Sequence, residues 1–204
     1  MKNNPPAWLY RRTRILNLLH SLNLASPHSQ MNDEEKVCLK KYAKNKKLAL
    51  EIGTYMGVTA SIIATSLGQD GVLYCVDPFE SKNNKQNPGY RMAVRQLKRE
   101  NTFHKAKFLL GYSNDQKIIS QIPDQLDFIL VDGDHSYEGL KNDWQLVLSK
   151  LAINGIVCFH DTTIPVNEPY RNFGSVEYFN EVIKNDKNFF HLETAYSMNV
   201  LARK

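Results

Sequence analysis

From residue 48 onward, short apolar segments alternate with segments of helical character, and this alternation constrains the fold more than any other feature. The apolar segments are nearly continuous rather than alternating in polarity, which indicates strands buried on both faces of a parallel sheet. Five such strands are predicted, at residues 48–52, 72–76, 107–110, 128–131 and 156–159. Crossover helices are predicted between them, at residues 58–67, 90–101, 114–121 and 138–151. The order predicts an α/β fold with a doubly wound, Rossmann-like sheet.

The last part of the chain continues this pattern with one helix and two strands. A helix is expected from Ser175, and strands are expected at residues 189–195 and 198–202 around a turn. Asn154 and Gly155 are predicted to close the helix before the fifth strand, because both residue types suit a left-handed helix end.

The 204 residues are enough for one sizeable core. We therefore expect one α/β domain at residues 48–204, preceded by a helical extension at residues 1–47. The first helix of the extension carries Leu9 and Leu16, and the second begins at Asn32 with Glu35 in a capping-box position. The extension could cover the substrate side, mediate contacts in a homo-oligomer, or pack on the edge of the sheet.

Charge and composition narrow the choice of partners. The net charge is +5, but its clusters, such as Arg11, Arg12 and Arg14, lack interleaved aromatic residues, so a nucleic-acid partner is not expected. No apolar run is long enough to span a bilayer, and no secretory signal is visible. Three scattered cysteines are consistent with a reducing, cytoplasmic location.

The first predicted strand runs directly into a glycine-containing loop, Glu51-Ile-Gly-Thr-Tyr-Met-Gly57. Gly53 permits a tight turn close to a ligand, and Gly57 permits close packing of the following helix. A dinucleotide site would have a further glycine at Thr54 or Tyr55. The carboxylate of Glu51 suits a cationic ligand and repels pyrophosphate, so the loop favours a sulfonium cofactor over NAD.

Two more candidate cofactor ligands follow the second and third strands. Asp77 lies about 20 residues beyond the glycine turn, where an acid can bind both hydroxyls of a ribose. Ser113, and with weaker support Asp115, lies in the loop expected to border an adenine. The competing interpretation of Asp77 is that Asp77-Pro78 only forms a simple turn.

Acids and histidines follow the fourth and fifth strands. Asp132, Asp134 and His135 come after the fourth strand, and His160 and Asp161 come after the fifth. The ends of these strands should meet at one rim of the sheet, and clustered carboxylates repel one another unless a cation or protons intervene. A divalent metal at this rim is therefore expected; alternatively, Asp134 and His160 only hydrogen-bond to loop backbone.

Together the 51–57 loop, Asp77, the Asp132-Gly-Asp-His-Ser-Tyr-Glu138 run and His160-Asp161 resemble the class I S-adenosylmethionine-dependent methyltransferases. The branch that looks most similar contains the catechol and macrolide-sugar O-methyltransferases. The resemblance implies a seven-stranded, mostly parallel sheet with an antiparallel C-terminal hairpin, in three α/β/α layers. It implies S-adenosylmethionine as cofactor, bound by Glu51, Gly53, Thr54, Tyr55, Gly57, Asp77, Ser113 and Asp132.

The resemblance also implies metal ligands at Asp132, His160 and Asp161. Catechol-type enzymes have Asp-Asn at the second site and macrolide-sugar enzymes have Glu-Asp, so His160-Asp161 departs from both. A histidine ligand favours Mn²⁺ or another transition metal over Mg²⁺. If His160 points elsewhere, Thr162 could take the position of the Asn.

His135 is the expected general base, because a hydroxyl acceptor must lose a proton and histidine titrates near working pH. Similar macrolide-sugar enzymes place a base at this position; the competing interpretation is that His135 only fixes a turn.

These features predict metal-assisted O-methylation of a small-molecule hydroxyl, of a sugar or of a phenol or catechol. The alternatives are an NAD-dependent oxidoreductase, a non-catalytic S-adenosylmethionine-binding protein and an RNA methyltransferase. The last is disfavoured because N-methylating members commonly carry an Asn/Asp-Pro-Pro-Tyr-type tetrapeptide after the fourth strand, where this chain has Asp132-Gly-Asp-His. The acceptor is expected near residues 161–173, where Tyr170, Arg171 and Phe173 could contact a polar ring or only anchor the loop.

Overall fold

The computed structural model of the chain describes residues 12–80 and 86–204. Leu9 of the first predicted helix and Arg11 of the basic cluster therefore lie outside the described residues. The strands of this part form a seven-stranded sheet in the order β3-β2-β1-β4-β5-β7-β6. They are β1 (Leu48–Ile52), β2 (Val72–Val76), β3 (Ala106–Leu109), β4 (Leu126–Val131), β5 (Leu151–Phe159), β6 (Phe189–Ala195) and β7 (Met198–Arg203). Neighbours among β1 to β5 pair in parallel, while β7 runs antiparallel to both β5 and β6. The predicted mostly parallel sheet with an antiparallel C-terminal hairpin is confirmed.

Helices cover both faces of this sheet. They are α1 (Thr13–Ser21), α2 (Asp33–Ala43), α3 (Val58–Ser66), α4 (Pro88–Arg99), α5 (Gln116–Ile119), α6 (Tyr137–Lys150) and α7 (Gly174–Glu181), with short 3₁₀ turns at Phe103–Lys105 and Ile183–Asn185. Side chains alternate along a strand, so Leu50 of β1 joins the apolar core beneath α6 and α7, and Ala49 joins the core beneath α2 and α3. The predicted three-layer arrangement is confirmed.

The described part of the N-terminal extension packs on the α3–α4 side of the sheet. Leu16 of α1 is buried in one cluster with Met92 of α4. Helix α2 begins with the predicted capping box, in which the Glu35 N–H donates to Asn32 Oδ1 over 2.9 Å and the Asn32 N–H donates to Glu35 Oε2 over 2.8 Å. Leu39 of α2 is fully buried in the core. The division of the chain at residue 47 stays a prediction.

The predicted helix end at Asn154-Gly155 is wrong. Helix α6 ends at Lys150, and both residues lie within β5. Asn154 does adopt the left-handed conformation, with φ of 61°. It lies at a shift in the register between β4 and β5, since Leu126 pairs with Leu151 but Phe128 pairs with Ile156. A residue with positive φ can therefore mark a bulge as well as a helix end.

None of the helices in residues 12–80 and 86–204 combines the length and the apolarity that crossing a membrane requires. The three cysteines are buried free thiols. Trp144 of α6 packs against Phe159 of β5 and Phe189 of β6, at ring-centroid distances of 5.8 and 4.9 Å.

Candidate functional site

The loop after β1 has a backbone that two glycines make possible. Gly53 has φ of 91°, and a Cβ on it would lie 1.9 Å from the carbonyl oxygen of Asp132. Gly57 has φ of 78° and caps α3, where a Cβ would lie 2.5 Å from the Cα of Ala93. Both positions need the left-handed region, which favours glycine. The loop consequently lies directly against the end of β4 and borders an open cavity.

The cavity has a volume of about 430 Å³, which is within the usual range of about 300–1,000 Å³ for small-molecule sites. It is bordered by the loop after β1, the ends of β2 and β4 and the loop after β3. His28, Ser29 and Gln30, from the segment between α1 and α2, also line it. The predicted cofactor residues on its wall are Gly53, Thr54, Tyr55, Gly57, Asp77, Ser113 and Asp132.

Glu51 is the predicted cofactor residue that does not line this cavity. Its side chain is fully buried beneath the loop, and its two oxygens have no aligned hydrogen-bond partner within the described part of the chain. Burial raises the pKa of this carboxyl to about 8, although Thr59 and Thr54 beside it act in the opposite direction. The raised pKa favours the protonated carboxyl at neutral pH. The structure places Glu51 beneath the loop, and not at the cavity wall where its carboxylate would face a cation directly.

Asp77 lies at the cavity wall with both carboxylate oxygens oriented by backbone. Oδ2 accepts the N–H of Tyr55 over 2.7 Å, and Oδ1 accepts the N–H of Phe79 over 2.7 Å. The backbone of Thr54 also hydrogen-bonds to this carboxylate, so of its roughly four acceptor positions about one remains for a hydroxyl of a ribose.

Ser113 lies on the cavity wall together with Asp143 of α6, a residue that the sequence analysis missed. The hydroxyl of Ser113 donates to Asp143 Oδ1 over 2.5 Å. Burial raises the pKa of Asp143 to about 7, against the lowering effect of Ser113. Its position on the buried face of α6, three residues after Leu140 and four before Val147, was a readable signal, because an acid on a core-facing helix stripe needs a partner.

The residues after β4 and β5 meet at the rim of the sheet, as predicted. Val131 pairs with Phe159, and the N–H of His160 donates to the carbonyl of Val131 over 3.0 Å. Asp132 Oδ1 lies 2.8 Å from His160 Nδ1 and 3.9 Å from His135 Nε2. Asp161 Oδ2 lies 3.5 Å from His160 Nδ1 and 3.7 Å from His135 Nε2. Asp132 therefore belongs both to the cavity wall and to this cluster.

The rim cluster fits a divalent metal. The donor atoms that lie within 4.8 Å of one another belong to Asp132, His135 and His160; the predicted ligand Asp161 is outside this set, although its Oδ2 lies 3.5 Å from His160 Nδ1. Ligands bound at about 2.0–2.2 Å from one ion stand at such separations. Both ring nitrogens of His160 and both oxygens of Asp161 are buried, and none has an aligned hydrogen-bond partner among the residues described. Of these atoms, His160 Nδ1 and Asp161 Oδ2 lie 3.5 Å apart and face the cluster, and a cation between them would supply the partner that a buried polar atom requires.

Two neighbouring residues have other roles. Asp134 accepts the N–H and the hydroxyl of Ser136 over 2.9 and 3.0 Å, so it orders the loop, as the alternative interpretation expected. The Thr162 hydroxyl donates to the carbonyl of Phe159 over 2.8 Å and accepts from Asn199 over 3.0 Å. These bonds orient Thr162 into a structural network, and the alternative of Thr162 as a metal ligand has no support.

The loop expected to border the acceptor contains residues that contact the rim cluster and residues that are exposed. The ring of Phe173 stacks on His135 at 5.5 Å with an interplanar angle of 27°. Arg171 lies 3.1 Å from Asp161 Oδ1 and 3.0 Å from Glu168. Tyr170, in contrast, is 74% exposed. Phe173 and Arg171 therefore anchor this loop to the cluster, whereas the ring of Tyr170 is exposed and its hydroxyl is hydrogen-bonded to Glu168.

Comparison with known proteins gives consistent likenesses in sequence and in structure. A family model described as a methyltransferase domain matches residues 50–162, more than half of the chain. A flavonoid 3',5'-methyltransferase of Vitis vinifera is 28% identical over 122 residues, which cover 58% of this chain and 48% of the relative. The chain thus matches about half the length of that relative.

Solved structures share the fold. The O-methyltransferase TomG from Streptomyces achromogenes, involved in tomaymycin synthesis and solved with S-adenosylmethionine, is 16% identical with a TM-score of 0.67, covering 98% of this chain and 91% of that one. An O-methyltransferase from Bacillus cereus, solved with S-adenosylhomocysteine, is 18% identical with a TM-score of 0.63, covering 98% and 92%.

Proposed function

This chain belongs to the methyltransferase-domain family of class I S-adenosylmethionine-dependent enzymes, and we propose that it methylates a hydroxyl oxygen of a small molecule with the help of a divalent metal. The observation that carries the proposal is the double position of Asp132, on the wall of the cofactor cavity and in the rim cluster with His160. A methyl donor in the cavity and a hydroxyl held at the rim would meet at this residue.

In this proposal, the residues on the cavity wall hold the cofactor. The backbone from Gly53 to Gly57 faces its aminoacyl end, Asp77 accepts from the ribose hydroxyls, and Ser113 with Asp143 borders the adenine. Bound S-adenosylmethionine supplies an electrophilic methyl group on a sulfonium centre. The third glycine that an NAD-dependent oxidoreductase would need is absent, and membership of the family also argues against that alternative.

The metal ligands in this proposal are Asp132, His160 and Asp161. A metal bound to an acceptor hydroxyl lowers the pKa of that hydroxyl. A set of two carboxylates and one imidazole nitrogen favours Mn²⁺ or another transition ion over Mg²⁺. Arg171, beside Asp161, places a further positive charge against these carboxylates.

His135 is the proposed base. Its Nε2 points toward Asp132 and Asp161 and is 3.7 Å or more from either carboxylate, which makes it the most loosely held member of the cluster. The side chain is 28% exposed, so a substrate can reach it. Phe173 stacks on the ring and limits its orientation. In the proposed reaction Nε2 would accept the hydroxyl proton as the oxygen forms a bond to the methyl carbon; the methyl C–S bond breaks, its electron pair stays on sulfur, and S-adenosylhomocysteine leaves.

A radiolabel assay tests the proposal. The protein is freed of metal by chelation and given methyl-tritiated S-adenosylmethionine with a panel of sugars, phenols and catechols. We expect chelation to abolish methyl transfer, and Mn²⁺ to restore it more than Mg²⁺ does.

His135→Ala should slow turnover by about 10²–10⁴-fold while cofactor affinity is kept. His104 is an exposed histidine on the turn before β3, and His104→Ala should leave turnover unchanged. Full activity without metal would contradict the metal's role, full activity of His135→Ala would remove it as base, and binding without transfer would indicate a non-catalytic protein.

A further inference from the structure

Glu35, the capping-box residue of α2, is buried beside the rim cluster. A capping-box glutamate needs only to reach the N-cap N–H, which Glu35 does through Oε2. Here, however, the residue is 0% exposed. Its second oxygen, Oε1, is turned away from the helix end and toward the turn between β6 and β7. The cap of an N-terminal helix thus extends into the interior of the α/β domain.

Three donors hold this carboxylate. Besides the N–H of Asn32 on Oε2, the hydroxyl of Ser197 donates to Oε1 over 2.5 Å and the N–H of Ser197 over 3.2 Å. These hydrogen bonds fix the Glu35 carboxylate in a buried position.

The same oxygen faces the proposed metal ligand. Glu35 Oε1 lies 3.5 Å from His160 Nε2, while the opposite ring nitrogen, Nδ1, lies 2.8 Å from Asp132 Oδ1. Both the Glu35 and the His160 side chains are 0% exposed. The imidazole is thus enclosed between two carboxylates, with one nitrogen directed at the site and the other at α2.

We propose that Glu35 is a positioning residue for His160: the Glu35 carboxylate accepts the Nε2–H of His160 and so directs Nδ1 toward the site at Asp132. The part of this inference that concerns a metal rests on the proposed function. The partner of the distal N–H of a metal-bound histidine sets the tautomer and the ring orientation and raises ligand basicity. In this chain that partner comes from the N-terminal extension, which would make α2 part of the site.

The orientation of His160 can be read without any metal. Proton–nitrogen NMR of ¹⁵N-histidine-labelled protein should show a slowly exchanging Nε2–H for His160, assigned by its loss in His160→Gln. In Glu35→Gln this proton should exchange faster and move upfield, because a neutral amide is a weaker acceptor. Asn32→Ala is the matched control, since it removes the cap of α2 but leaves the carboxylate facing His160, and its Nε2–H signal should stay as in the native protein.

Metal affinity is the second measurement. Calorimetry with Mn²⁺ should show a dissociation constant about 10–100-fold weaker in Glu35→Gln, and a change of no more than about threefold in Asn32→Ala. An Nε2–H signal that is the same in Glu35→Gln and in the native protein would overturn the inference, as would equal losses of affinity in both variants, which would indicate only a destabilised helix. If the native protein binds no Mn²⁺ but the NMR difference is present, the positioning of His160 stands and the proposed metal fails.

Discussion

Several side chains of the site are ionisable groups kept from water without a full set of partners. Glu51 and Asp143 are the clearest, with pKa values raised by burial to about 8 and about 7. Such groups cost stability in the ligand-free protein, because the folded state holds a proton that the unfolded chain has lost. A bound ligand that satisfies them recovers part of this cost, and for that reason perturbed carboxyls concentrate at binding sites.

The free energy of unfolding of the ligand-free protein should therefore fall as pH rises from about 4.5 to about 8. In this window an unfolded Glu51 is ionised, near its ordinary pKa of 4.5, while the folded one remains protonated up to about 8. Glu51→Gln should lose less stability over the window, since a neutral amide has no proton to lose. Urea unfolding at pH 5, 6.5 and 8 measures this, with Glu100→Gln, an exposed acid, as control. Identical pH slopes for Glu51→Gln and the native protein would contradict the assignment.

Among the elements of the fold, the connection from β1 to α3 contributes most to the wall of the candidate cofactor cavity. It turns within a few residues, because Gly53 and Gly57 adopt positive φ and bring the backbone against Asp132 and Ala93. Tyr55 also has positive φ, of 49°, between them. The short turn brings the N-terminus of α3, at Val58 and Thr59, to the cavity; the first N–H groups of a helix have no intrahelical partner and suit a ligand there.

Gly57→Ala should destabilise the protein by about 1–3 kcal/mol. The added methyl would lie 2.5 Å from the Cα of Ala93, and the residue would keep an unfavourable φ of 78°. Gly68→Ala is the matched control, because its Cβ would meet only ordinary contacts at 3.6 Å or more; its change should stay within about 0.5 kcal/mol. Urea midpoints at constant slope measure both, and equal effects of the two substitutions would refute the packing argument.

In the whole molecule, six segments distant in sequence enclose one cavity: the link between α1 and α2, the ends of β1, β2, β3 and β4 with the loops that follow them, and helix α6. A ligand bound there contacts residues from 28 to 143 that only the folded chain brings together. Binding should consequently stabilise the molecule as one unit.

S-adenosylmethionine at 100 times its dissociation constant should add about 2.7 kcal/mol, which corresponds to a rise in Tm of about 5–10 °C for a chain of this size. Differential scanning calorimetry measures the shift. Asp77→Asn, at the same cofactor concentration, should show a smaller rise, and NAD should leave the native Tm unchanged. A rise with NAD as large as that with S-adenosylmethionine would speak against the cofactor assignment.

The sequence by itself determined the sheet and the rim. Strands β1 and β2 were predicted with the observed bounds, because strands buried on both faces must be apolar throughout. The meeting of Asp132 with His160 followed as well, since the ends of neighbouring parallel strands meet at one edge. The tertiary structure alone decided that Glu51 lies beneath the loop, that Asp143 reaches the cavity and that Glu35 faces His160. Hydrophobic periodicity reports which face of an element is buried, but it does not report which distant residue packs against it. Glu35 and His160 are 125 positions apart in the chain, and no local pattern links them.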